Sequence, residues 1–95
     1  MTDDPAPLDR LRAVIAALRT PGTGCPWDLQ QTALTMAPHL LEETYETIEA
    51  IEAGDDERTC EELGDVLMNV FSIARIAEEA GAFTIDDVAR AVADK

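Results

Sequence analysis

Two pairs of carboxylates dominate the geometry open to this chain: Glu43 with Glu46, and Glu62 with Asp65, lying on either side of Gly54-Asp55-Asp56. At about 100° per residue, the members of each pair project within ~60° of one another on a helix. On the first helix the acids fall roughly opposite an apolar stripe of Leu41, Ile48 and Ile51, with Thr44 and Tyr45 beside it. On the second, Glu62, Asp65, Asn69 and Ser72 form a polar stripe set apart from Leu63, Val66, Leu67, Val70 and Ala74. So short a turn makes the two helices antiparallel neighbours, and the polar stripes are expected to face each other.

Clustered carboxylates raise one another's pKa and stay ionised at little cost only beside a cation. An all-oxygen ligand set selects a hard cation, so Mg²⁺ is the expected metal and Mn²⁺ an acceptable one. Glu43, Glu46, Glu62 and Asp65 are the candidate ligands. Glu42 lies on the flank of the acidic face, where a general base or an outer supporting group fits better than a ligand. Acidic runs such as Glu42 to Glu52 are more often the solvated face of an amphipathic helix. Asp65 weighs against that reading, because Asp is a poor residue for a helix interior.

The remaining composition narrows the partners. Twenty acidic residues against seven basic ones give a net charge of −13, which repels polynucleotides and anionic membranes. A small phosphate-bearing ligand remains compatible with that charge if divalent ions accompany it. A chain of 95 residues with 46% hydrophobic content fits one domain, over 1–95, whose small core invites a partner subunit. No apolar run is long enough for a membrane span and Met1-Thr2-Asp3-Asp4 does not open a signal peptide, so a cytoplasmic protein is expected. Cys25 and Cys60 stand alone, without metal-binding spacing, and are expected to be reduced.

The expected architecture is all-α, an antiparallel bundle of about four helices completed by dimerisation. Residues 1–7 read as a mobile leader, since Pro5 and Pro7 oppose a helix there. Leu8, Leu11, Val14, Ile15 and Leu18 space the first helix, which stops at Pro21-Gly22, while Arg10, Arg12 and Arg19 are expected to be solvated or paired with acids. Thr20 to Thr32 reads as an irregular loop because of Pro21, Gly22, Gly24 and Pro26. In it, Trp27 serves either as a plug on the core or as a ligand platform, and Asp28 either bonds a ligand or caps the next helix. The second helix should start near Thr32 to Met36, tolerate Pro38 and run to Ala53, where Gly54 ends it; the third should run from about Glu57 to Ala80, closed by Gly81; Thr84 should cap the fourth. His39, one turn before Glu43, is a candidate phosphate contact or a surface residue. Met68, Phe71, Ile73 and Ile76 spread around the third helix, and some of them should need a partner chain, in a dimer or a dimer of dimers.

Four blocks then carry a resemblance: Gly24-Cys25-Pro26-Trp27-Asp28, Gln31-Thr32, Leu41-Glu42-Glu43-Thr44-Tyr45-Glu46 and Glu61-Glu62-Leu63-Gly64-Asp65. In order and spacing the chain resembles the MazG family of nucleoside triphosphate pyrophosphohydrolases. The resemblance implies an all-α dimeric bundle and Mg²⁺-dependent hydrolysis of a nucleoside triphosphate to monophosphate and pyrophosphate. It implies Glu43, Glu46, Glu62 and Asp65 as metal ligands and Glu42 or Glu46 as proton acceptor. Lys95 matches a nucleotide-contacting Lys, and the segment from His39 to Glu43 a nucleotide-contacting stretch; Trp27, Asp28 and Asn69 complete the candidate substrate contacts. Family members usually continue past this Lys with a basic segment bearing a further phosphate-facing Arg, whereas the sequence stops at Lys95. Activity is expected to be sensitive to that segment. The rival reading is a non-catalytic dimerisation or regulatory module on the same fold. A carboxylate-bridged iron protein is disfavoured, because His39 is not placed in a Glu-x-x-His pair.

Overall fold

The computed structural model describes residues 6–95, which form five helices and, among these residues, no strand. They are α1 (Pro7–Leu18), α2 (Pro26–Gln30), α3 (Ala33–Glu52), α4 (Asp56–Glu79) and α5 (Ile85–Ala93). The helix count exceeds the expected four because α2 lies inside the segment read as irregular. The same chemistry corrects the expected leader: Pro7 and Pro26 each start a helix. At the first helical position proline's missing N–H has no intrahelical partner to lose and its fixed φ is already helical. The rest of the leader, residues 1–5, lies outside the described residues.

Caps and turns fix the other boundaries. Thr32 accepts from the Thr35 N–H while Thr35 Oγ1 accepts from the Thr32 N–H, and Thr84 and Asp87 repeat this reciprocal pair at the start of α5. Gly54 adopts φ +68°, which lets the Asp55 N–H reach back to the Ala50 carbonyl at 3.2 Å and turns the chain directly into α4. Helix α3 stays continuous through Pro38, which is exposed.

The longest helix, α4, is the spine. Helix α3 packs along it as an antiparallel hairpin, and α1 and α5 pack on it as well. The core is small: Ile15 of α1, Met36 and Ala50 of α3, Phe71 and Ala74 of α4. Thr47, Asn69 and Ser72 are buried with it, so the α3–α4 seam is built from small and polar side chains. Thr47 Oγ1 returns its hydrogen bond to the Glu43 carbonyl at 2.8 Å, and Asn69 Nδ2 donates to the Asp65 carbonyl at 2.9 Å.

This seam sets which side of each helix faces outward. The polar stripes face each other as anticipated, but they do so at the packed interface, whereas Leu41, Ile48 and Ile51 are exposed together with Leu34, Tyr45, Leu63 and Leu67. Small residues at 47, 50, 72 and 74 allow close approach between the helices, and the large apolar side chains are left on the outer surface. Of the residues expected to seek a partner, Met68 is exposed, whereas Phe71 is buried and Ile73 and Ile76 are half-buried within the chain.

Candidate active site

The α3–α4 hairpin brings three of the four predicted ligands to one point. Glu43, Glu62 and Asp65 each offer a carboxylate oxygen, all within 4.8 Å of one another. Glu46, one turn after Glu43, is half-buried and near enough to act electrostatically on both Glu43 and Glu62. Glu42 is exposed on the flank.

Glu43 Oε2 and Glu62 Oε2 are shut off from solvent, and neither has a hydrogen-bond donor. Their environment opposes ionisation. Burial raises the pKa of Glu43, and the charges of Glu46, Asp65 and Glu62 raise it further. Burial likewise raises that of Glu62, with Glu46 and Asp65 adding to it and Arg58 opposing it. Orphaned, acceptor-only oxygens from several carboxylates on two helices are the donor set that a hard divalent cation satisfies.

Beside the cluster lies a cavity of about 160 Å³ lined by Trp27, Asp28, Met36, His39, Glu43, Met68, Asn69 and Ser72. Glu43 belongs to both cluster and cavity. The Trp27 and His39 rings meet edge to face, with centroids 5.5 Å apart, so Trp27 is a half-exposed cavity wall and not a plug in the core. Asn69 Oδ1 is buried without a partner, while Nδ2 donates to the Asp65 carbonyl and fixes the orientation of the amide. None of the side chains lining the cavity belongs to Lys or Arg. A second groove of about 300 Å³ between α1, α4 and α5 has mostly apolar walls and shares no residue with the cluster.

Four of the predicted substrate contacts, Trp27, Asp28, His39 and Asn69, therefore meet at this cavity, whereas Lys95 is exposed beyond α5 and is not among its lining residues. Arg75, which has the charge to serve the site, pairs with Glu78 and Glu79 instead. Met36, Met68 and Ser72 were not anticipated as cavity walls; Ser72 alone had a signal, its place on the polar stripe of α4.

The entry to α2, which carries Trp27 and Asp28, is placed by close backbone contact. The Gly24 N–H donates to the Thr20 carbonyl at 2.7 Å, and the Cys25 N–H to the Leu18 carbonyl at 2.9 Å. A Cβ at residue 24 would collide with both carbonyls, so glycine is required there by packing. Gln31 Nε2 then donates to the Trp27 carbonyl at 2.9 Å and steadies the end of α2.

The chain is 46% identical over 88 residues to the nucleoside triphosphate pyrophosphohydrolase of Escherichia coli (strain K12), covering 93% of this chain and 34% of that protein. It is 48% identical over 87 residues to the nucleoside triphosphate pyrophosphohydrolase/pyrophosphatase MazG of Thermotoga maritima, covering 92% of this chain and 34% of that protein. With the nucleoside triphosphate pyrophosphohydrolase of Mycobacterium tuberculosis, identity is 48% over 79 residues, 81% of this chain and 23% of that protein. The chain thus spans about a third or less of the length of these relatives. The family model of the MazG nucleotide pyrophosphohydrolase domain matches residues 31–95, which include all four acidic ligand candidates, and the chain belongs to that family.

Proposed function

We propose that this domain is a Mg²⁺-dependent nucleoside triphosphate pyrophosphohydrolase, taking a ribo- or deoxyribonucleoside triphosphate to the monophosphate and pyrophosphate, with Mn²⁺ able to replace Mg²⁺. The observation that carries the reading is Glu43, whose orphaned carboxylate belongs at once to the acidic cluster and to the cavity beside it. Glu43, Glu46, Glu62 and Asp65 would hold the cation. When bound, it supplies charge neutralisation of the triphosphate and Lewis acidity toward water.

The chain's own residues supply the rest. Trp27 and His39 offer an aromatic wall for a base, and Asn69 Oδ1 accepts a hydrogen bond from a donor on the base or sugar. Glu46 lies against Glu43 and Glu62 and takes the proton as water attacks the α-phosphorus and pyrophosphate leaves; Glu42, exposed on the flank, is the poorer candidate. With no Lys or Arg in the cavity wall, binding of the triphosphate depends on the cation. Lys95 serves the phosphates only if substrate or a partner chain brings them to the end of α5. The exposed apolar surface of α3 and the first half of α4 is the face for a second copy, giving a dimer or a dimer of dimers. No described helix is long and apolar enough to cross a membrane, and the free thiols of Cys25 and Cys60 suit a cytoplasmic setting.

The absence of Lys and Arg from the cavity is also the observation that favours the rival reading, a non-catalytic dimerisation or regulatory module. Incubation with each nucleoside triphosphate and Mg²⁺, with separate detection of pyrophosphate and orthophosphate, decides between them. The enzyme reading expects stoichiometric pyrophosphate that disappears with Glu62→Gln. No turnover, or orthophosphate as the first product, contradicts it.

A further inference from the structure

Helix α2 carries Trp27 and Asp28 into the cavity wall, yet none of its residues is buried. With only Asp28 and Leu29 half-buried and no side chain fully buried, these five residues get little hold from apolar packing. A polar contact from outside the segment comes from Arg19, the residue that closes α1. Its Nη1 donates to the Asp28 carbonyl and, at 3.4 Å, to the Gln31 carbonyl, so it binds the C-terminal end of α2. Its Nε and Nη2 donate to Glu79 Oε2 and Oε1, each at 2.9 Å, in a two-pronged pair at the last turn of α4. Only 10% of the Arg19 side chain is exposed. One guanidinium thus joins the ends of α1, α2 and α4.

We infer that Arg19, anchored by Glu79, is a positioning residue that sets the Trp27–Asp28 wall of the cavity and thereby governs nucleotide affinity. Neither residue lines the cavity, so the action is indirect. The rest of α2's attachment is local in sequence: the Gly24 and Cys25 backbone bonds fix its entry, and the Gln31 side chain bonds back to Trp27 within the same turn. Arg19 is the group that ties its exit to the far end of the spine. The fork is required as well as the charge. Lysine in place of arginine would offer a single cationic point and could not span two carbonyls and two carboxylate oxygens in fixed directions. Consistent with a tight pair, the Arg19 hydrogen bond holds the Glu79 carboxyl below its ordinary range.

The inference rests on the cavity being the nucleotide site, so its test includes a readout that needs no activity. Trp27 is the sole tryptophan, and its emission and its quenching by acrylamide report directly on the wall. In Arg19→Lys and Glu79→Gln, with helical circular dichroism and a cooperative melt retained, Trp27 emission should move and quenching should increase. In the active protein KM should rise by about tenfold with kcat within about twofold, and Mn²⁺ affinity without nucleotide should be unchanged. Unaltered Trp27 signals in both variants would overturn the inference, as would a lowered melting temperature with unchanged KM. If both variants lose their helical fold, the pair supports the whole bundle and the inference is again overturned. Should the wild type prove inert toward every triphosphate, the proposed activity fails, and the Trp27 readout alone still decides whether the clamp sets the wall.

Discussion

Glu43 and Glu62, on facing helices, each keep one carboxylate oxygen away from solvent with no donor to satisfy it, and both lie within 4.8 Å reach of Asp65. A pair of this kind is electrostatically incomplete. Either protons or a cation must compensate it, and the choice between them determines how stability and turnover respond to pH and metal.

Cation binding should stabilise the fold. At a free concentration about 100-fold above Kd, linkage gives about 2.7 kcal/mol, which for a domain of this size is a rise in Tm on the order of ten degrees. Thermal melts with and without Mg²⁺ measure it. Glu62→Gln should raise the metal-free Tm and remove most of the Mg²⁺-dependent rise.

The pH dependence of the metal-free protein follows from the raised pKa values of Glu43 and Glu62. In the folded state these groups bind protons more tightly than in the unfolded chain. Their contribution to stability is therefore complete below the ordinary glutamate value of 4.5 and is lost as pH rises through their higher folded-state values. Glu79 has the opposite sign: its lowered pKa contributes stability above its ordinary value that is lost as pH falls through the folded value. Melts across pH should show the loss on the alkaline side of 4.5 flatten when Mg²⁺ is added or when both Glu43 and Glu62 are replaced by Gln.

Turnover should separate acids by face. Glu46→Gln, Glu62→Gln and Asp65→Asn should each reduce kcat by more than the about 10–100-fold typical of losing a ligand's supporting partner. Glu52→Gln, on α3 but exposed and outside the cluster, should leave it unchanged. Circular dichroism should show the helices intact in all four variants.

Asn69→Leu keeps the bulk of the side chain but removes its unpaired acceptor together with its bond to the Asp65 carbonyl. KM should rise about threefold to tenfold, the range expected for one neutral hydrogen bond, with little change in kcat. An unchanged KM for every triphosphate would remove Asn69 from the substrate contacts.

The outer apolar face predicts self-association. Ile48→Glu together with Leu63→Glu places charge on exposed positions of α3 and α4 and should shift the protein to a monomer in analytical ultracentrifugation without unfolding it. A wild-type protein that is already monomeric at micromolar concentration would contradict the proposal.

Much of the fold was legible because the signals are local. Thr32 and Thr84 show their caps, Gly54 its left-handed turn, and the spacing of Glu43, Glu46, Glu62 and Asp65 the convergence of acids across a short hairpin. What escaped was relational. The stripe of Leu41, Ile48 and Ile51 announces a surface that avoids water but not which surface covers it, and within this chain α4 is approached by Thr47 and Ala50 instead. Pro7 and Pro26 have the sequence look of breakers, although the residues after them continue as helix and the proline ring suits the first turn. Met36, Met68 and Trp27 meet around one cavity only because tertiary packing joins three separate segments. Arg19 carried no sequence sign of its link to Asp28, since its partners there are backbone carbonyls, which every residue has.

The most direct test of the central claim, that the α3–α4 acids form a divalent-cation site, is a Mn²⁺ titration followed by electron paramagnetic resonance without nucleotide. The wild type should bind saturably, with Mg²⁺ competing; Glu62→Gln and Asp65→Asn should each weaken binding by at least about tenfold, and Glu52→Gln should match the wild type. Equal Mn²⁺ affinity in all four proteins, or no saturable binding in the wild type, would contradict the account.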